Sequence, residues 1–136
     1  MIDLVPTPAP LVPSRWAEVE PYVARALVKG ASLSSVEAFK ASCEDRTRQL
    51  WVIREDGATT GCIITEVYDT AKGLTCALPV AAGMDRHIDP GIACIEAWAR
   101  AEGCVRMEFS GRPGWQRRMK AAGWTPLTVT LEKELV

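Results

Sequence analysis

Along the chain, apolar positions follow two periods. Trp16, Val19, Val23 and Leu27 recur near helical spacing, which predicts a helix opened by Ser14, running toward Lys29 and stopped by Gly30. Pro21 is expected to kink or divide it. Ser34 or Ser35 is placed to cap a second, shorter helix carrying Val36, Phe39 and Cys43. From Gln49 the pattern becomes that of strands, with Leu50–Arg54, a turn at Glu55-Asp56-Gly57, and Thr60–Tyr68, rich in Ile, Thr and Val. The Asp-Gly pair marks a hairpin. A turn over Asp69–Gly73 leads to a third strand, Leu74–Val80, ending in Ala81-Ala82-Gly83.

Asp89 and Pro90 read as the cap and first turn of a helix in which Ile92, Ile95 and Ala99 share a face and Gly103 is the stop. Cys104–Phe109 reads as a buried strand, Pro113–Ala122 as a helix stopped by Gly123, and Leu127–Leu131 as a last strand. The passage from strand through helix to the Cys104 strand is a crossover, which requires a parallel or splayed pair in the sheet. The expected fold is therefore α/β (α+β), a mixed, mainly antiparallel sheet flanked by helices. Pro6, Pro8, Pro10 and Pro13 make residues 1–13 an extended arm, a lead-in strand or a loose tail, ahead of a single domain over 14–136.

Composition adds limits more than direction. With 136 residues, 48% hydrophobic and 24% charged, the chain can bury its own core and is not of disordered type. A net charge of −1 supplies no bulk attraction to nucleic acid or anionic lipid. Between Arg106 and Lys120, however, five basic residues face the single acid Glu108. That patch reads either as a solvated helix face or as an anion or nucleic-acid contact surface made by Arg106, Arg112, Arg117, Arg118 and Lys120. The five cysteines are scattered with no C-x-x-C pair, which points to reduced, buried thiols in a cytoplasmic setting and to no metal or disulfide framework. No apolar run reaches the roughly 18 residues of a membrane span.

The order of elements, and the pieces Leu50-Trp51-Val52, Ile64-Thr65-Glu66-Val67, Glu96-Ala97-Trp98-Ala99-Arg100, Gly103-Cys104, Gly111-Arg112-Pro113-Gly114-Trp115 and Gly123-Trp124, resemble the GNAT (Gcn5-related N-acetyltransferase) fold. In particular they are similar to short GNAT-like proteins encoded in tailed phages and prophages. The resemblance runs from about Val12 onward and implies an acetyl-CoA site. In active members a Gln or Arg, two residues, a Gly, one residue and then Gly or Ala open the central helix, so that backbone N–H groups meet the pyrophosphate.

The matching run here is Ile88-Asp89-Pro90-Gly91-Ile92-Ala93. Gly91 and Ala93 fit the pattern. Ile88 replaces the polar opener, Pro90 has no N–H to give, and the Asp89 carboxylate would compete for the helix-terminal donors. With Val80 on the preceding strand and Arg112 on the later loop, the cofactor positions implied are Val80, Ile88, Gly91, Ile92, Ala93 and Arg112, a set expected to bind acetyl-CoA weakly or not at all. Arg86 and His87 could compensate as donors to an anion, although a lone histidine reads first as a surface residue.

The resemblance also places an Asn, and seven residues on a Tyr that protonates the leaving thiolate, where Arg112 and Met119 stand. A thioether donates no proton. Glu66 is the remaining candidate for a catalytic role, as general base, against the plainer reading of a solvent-facing strand Glu. The tryptophans read as core or rim packing, with Trp115 the one that could anchor a protein contact beside Arg117 and Arg118. The expected function is that of a GNAT-like protein of phage or prophage origin with a degenerate site, acting by binding a phage or host protein or as a virion-associated factor. An active acetyl-CoA-dependent N-acetyltransferase is the alternative, and a nucleic-acid binder the weaker one.

Overall fold

Alternation along the central strands assigns every second side chain to opposite faces, and both faces are covered by helices. The computed structural model describes residues 1–29, 34–83, 85–111 and 114–135. Its elements are β1 (Ile2–Thr7), α1 (Val12–Lys29), α2 (Val36–Glu44), β2 (Gln49–Glu55), β3 (Ala58–Thr70), β4 (Gly73–Gly83), α3 (Asp85–Ala101), β5 (Arg106–Phe109) and α4 (Gly114–Lys120), with a short 3-10 turn at Ala9–Leu11. The five strands lie in the order of the sequence. β1 to β4 pair antiparallel, and β5 joins β4 in parallel after the α3 crossover.

On one face Leu50, Val52, Cys62, Ile64 and Val80 meet Val12, Trp16, Val19, Val23 and Leu27 of α1 and Phe39 and Cys43 of α2. On the other, Trp51, Ile53, Ile63, Cys76 and Leu78 meet Ile88, Ile92, Ile95 and Ala99 of α3 and Met119 of α4. The architecture is the mixed, mainly antiparallel α/β sheet that the pattern predicts.

Local chemistry explains the joints that the sequence marks. Ser35 caps α2, its hydroxyl accepting from the Ala38 N–H at 3.1 Å. Asp56 (φ 51°) and Gly57 (φ 83°) turn β2 into β3 with the two positive φ values a tight hairpin demands.

Of the two forms expected of the proline arm, the lead-in strand is the one present, as β1 paired with β2 from Ile2↔Glu55 to Thr7↔Leu50. Other expectations are corrected. α1 begins at Val12 with Pro13 in its first turn, where a missing N–H costs nothing. Ser14 does not cap it; its hydroxyl donates back to the Leu11 carbonyl. Pro21 does not divide α1. It lies on the exposed side, where water can serve the orphaned carbonyl, while Val19 and Val23 on either side are fully buried. α3 starts a full turn before Asp89 and Pro90, because His87 and Ile88 are buried and extend the packed face backward. Residues 125–135 form no strand and are exposed throughout, so the final strand expected at Leu127–Leu131 is absent. No helix among the described residues is long and apolar enough to cross a membrane.

Candidate functional site

The place where a ligand could enter the sheet is set by β4. Ile64 pairs with Val80 and Glu66 with Ala77, so β4 spends three steps where β3 spends two and bulges at Leu78-Pro79. β5 pairs only with Thr75–Leu78. From Pro79 to Gly83, β4 therefore has β3 on one side and no strand on the other among the described residues. This one-sided stretch ends two residues before α3 begins.

The run Ile88–Ala93 does not lie at the opening of α3 but inside it. Backbone N–H groups from Asp89 onward fall beyond the first four helical residues, whose N–H groups alone lack helical partners, and Pro90 has none to give. Ile88 and Ile92 are buried in the sheet-facing core. Gly91 is also buried, and a β-carbon there would stand 3.0 Å from Ile63 Cδ1. Its missing side chain serves close contact between helix and sheet. Ala93 is exposed, and Val80 is buried under α1 and α2. Asp89 is not a cap, for its carboxylate accepts from Arg118 Nη2 at 3.2 Å. Arg112 lies outside the described residues. Of the five described cofactor positions, Val80 thus lies in the core under α1 and α2, Ile88, Gly91 and Ile92 are buried between α3 and the other face of the sheet, and Ala93 is exposed.

His87, expected at the surface, is fully buried. Its Nδ1 lies 3.0 Å from Thr60 Oγ1, and its Nε2 lies 3.2 Å from Glu55 Oε2 and 3.2 Å from Arg86 Nε. Arg86 Nη2 also donates to Glu55 at 3.2 Å. Both residues considered as anion donors are thereby committed to Glu55, and they fasten the start of α3 to the end of β2.

Glu66 accepts from Arg48 Nε at 2.8 Å, and the same guanidinium lies 4.5 Å from the Phe39 ring centroid. The carboxylate is tied to α2's neighbourhood instead of standing free as a base. In register with it across the sheet are Ala77 and Glu108. Sequence reasoning missed this row. Tyr68 Oη donates to Glu108 Oε2 at 2.5 Å, and Arg106 Nη1 donates to Glu108 Oε1 at 2.5 Å and to Thr75 Oγ1 at 3.1 Å. The hydrogen bonds from Tyr68 and Arg106 hold the Glu108 carboxyl below its usual range, and the bond to Glu108 pushes the Tyr68 phenol up. Both shifts move these groups away from the near-neutral values that proton transfer favours. Only strand alternation could have signalled the row, since Tyr68 and Glu108 are 40 positions apart.

Met119 is buried in the α3-side core. Trp115 packs there too, 5.1 Å from the Phe109 ring and with Arg118 at 4.8 Å over its own. The basic patch is accordingly divided, with Arg106 turned to Glu108 and Arg118 to Asp89 and Trp115. A cleft of about 390 Å³ lined by Pro6, Pro8, Arg46, Arg48, Trp51 and Trp98 lies at the Gln49 end of β2, opposite the Glu55 end where α3 starts. No group of acidic, histidine or cysteine side chains among the described residues could hold a metal ion.

No protein-family profile matches the sequence, and no curated protein does. Solved structures match over nearly the whole chain. A ribosomal-protein-alanine N-acetyltransferase from Brucella melitensis biovar Abortus 2308 is 12% identical, with a TM-score of 0.67 over 97% of this chain and 100% of that one. The aminoglycoside N-acetyltransferase AAC(6')-Iy in complex with CoA is 13% identical, with a TM-score of 0.70 over 99% of this chain and 95% of that one. An aminoglycoside acetyltransferase from an uncultured soil metagenomic sample, in complex with sisomicin, is 9% identical, with a TM-score of 0.71 over 99% and 97%. At these identities the likeness shows the fold.

Proposed function

We propose that this chain is a GNAT-fold protein of phage or prophage origin whose acetyl-CoA site is reduced and which works by binding another protein. The observation that carries the reading is the burial of Ile88, Gly91 and Ile92 between α3 and the sheet, which leaves only Asp89, Pro90 and Ala93 of the matching run exposed. The commitment of Arg86 and His87 to Glu55, and Met119 in place of a proton donor, support it further. The similarity of Glu96–Arg100 and Gly111–Trp124 to short phage- and prophage-encoded proteins supports the setting. Calorimetric titration with acetyl-CoA and with CoA tests it. The expected result is a dissociation constant weaker than ~10 μM, or no binding. Submicromolar binding overturns the reading.

A specific observation favours a second reading, an acetyl-CoA-dependent N-acetyltransferase. β4 bulges at Leu78-Pro79 and parts from β5 beyond Leu78↔Phe109, beside the acidic row of Glu66 and Glu108. AAC(6')-Iy, of the same fold, is known in complex with CoA. A thioester and an amine held side by side in such a gap need little further help, because proximity supplies much of the rate enhancement. Acetylation of a primary amine, followed as free thiol released from acetyl-CoA, would replace the first reading with this one.

A further inference from the structure

Where α2 passes into β2, the chain closes its helix with an arginine in a glycine's place. The Asp45 N–H donates to the Ala41 carbonyl at 2.9 Å, the Arg48 N–H donates to the Ser42 carbonyl at 3.1 Å, and Arg46 between them holds φ 73°. Glycine most often supplies that left-handed turn at a helix end, and a side chain there is strained. Arg46 lines the cleft of about 390 Å³ at the Gln49 end of β2. It is exposed, and its guanidinium has no ion pair or hydrogen bond among the described residues.

The rest of the lining is apolar or already neutralised. Trp51 and Trp98 meet edge to face, with ring centroids 5.0 Å apart and planes at 70°. Trp51 Nε1 donates to Thr65 Oγ1 at 3.0 Å, so this residue gives the cleft ring surface alone, and Trp98 is half-buried. Pro6 of β1 and Pro8 just beyond it add flat apolar surface from the sheet edge. Arg48 also lines the cleft, but its charge is met by Glu66 Oε1 at 2.8 Å. No acidic residue lines it, which leaves Arg46 as the one uncompensated charge of the cleft among the described residues.

We infer that this cleft binds a small aromatic monocarboxylic acid, its carboxylate on the Arg46 guanidinium and its ring against Trp98 and the prolines. A planar guanidinium takes a carboxylate through two parallel hydrogen bonds, and indole and proline surfaces cover a flat ring without asking it for polar partners. The volume is at the small end of ligand pockets, which suits an acid of this size. Occupation of the cleft requires neither acetyl-CoA nor a protein partner. The bound acid ties the α2–β2 turn to β1 and α3, and so stabilises the folded chain by mass action.

Calorimetric titration with phenylacetate tests this, with phenylacetamide as its uncharged counterpart and melting temperature as a second readout. The expected dissociation constant for phenylacetate is ~1 mM or tighter, with a raised melting temperature, and phenylacetamide should bind weaker by roughly tenfold or more. Phenyl phosphate should bind no tighter than phenylacetate, because its second charge has no free cation to meet. Arg46→Gly should melt no lower than the parent, since glycine is at home at this φ, and should lose roughly tenfold or more in affinity for phenylacetate. Neither heat nor a raised melting temperature at ~10 mM phenylacetate overturns the inference. So does equal binding of the amide, tighter binding of phenyl phosphate, or undiminished binding by Arg46→Gly.

Discussion

Gly91 of α3 and Ile63 of β3 meet so closely that a β-carbon on the glycine would come within 3.0 Å of Ile63 Cδ1. The helix therefore rests on the sheet at the residue that sequence similarity would assign to a phosphate. Gly91→Val should lower stability by about 1–3 kcal/mol through overpacking. Thermal or urea unfolding measures this directly. A variant as stable as the parent would show that the position is open and would return it to the list of ligand contacts.

Trp115 belongs to the same side of the sheet. Its ring meets Phe109 at 5.1 Å and is roofed by Arg118. Trp115→Ala should cost at least ~2 kcal/mol, less than a fully buried tryptophan because this one is only partly covered. If the variant melts like the parent and loses a protein partner, Trp115 is an interface anchor.

The carboxylate of Glu108 makes part of its contribution conditional on pH. Its folded pKa is lowered from 4.5, chiefly by the Tyr68 hydrogen bond and then by Arg106. A depressed carboxyl pKa stabilises the fold above the unfolded value and loses that stabilisation as pH falls through the folded value. Glu108→Gln should therefore be less stable than the parent near neutrality, with the difference shrinking below about pH 4.5. Melting temperatures of both proteins across acidic pH give the answer; a difference that does not change with pH would rule out the charge as its source.

All five cysteines are free, and burial pushes Cys43 up to about 11 and Cys62 and Cys76 up to about 12. Thiolates are the reactive form, so these three should resist a thiol reagent until the protein unfolds, while exposed Cys94 reacts at once. Mass spectrometry of the labelled native protein counts the modified sites. Removal of reductant should leave the melting temperature unchanged; an intramolecular disulfide in freshly purified protein would contradict the reducing setting.

Short-range chemistry was legible along the chain. The Ser35 cap, the Asp56-Gly57 turn and the apolar faces of α1 and α3 are each fixed by neighbours a few positions away, and together they give the order of elements and hence the fold. Element ends were not, because burial at a distance decides them. The extra turn of α3 exists because His87 finds Glu55 and Thr60 on other strands, and Pro21 stays helical because its neighbours are held in the core.

The Tyr68–Glu108–Arg106 row and the tie between Glu66 and Arg48 arise only when the sheet brings distant residues into register. The absence of a last strand has the same origin. The alternation of Leu127–Leu131 states that a strand is possible, but a strand forms only where an edge receives it, and pairing lies in the tertiary structure, beyond the reach of the local sequence.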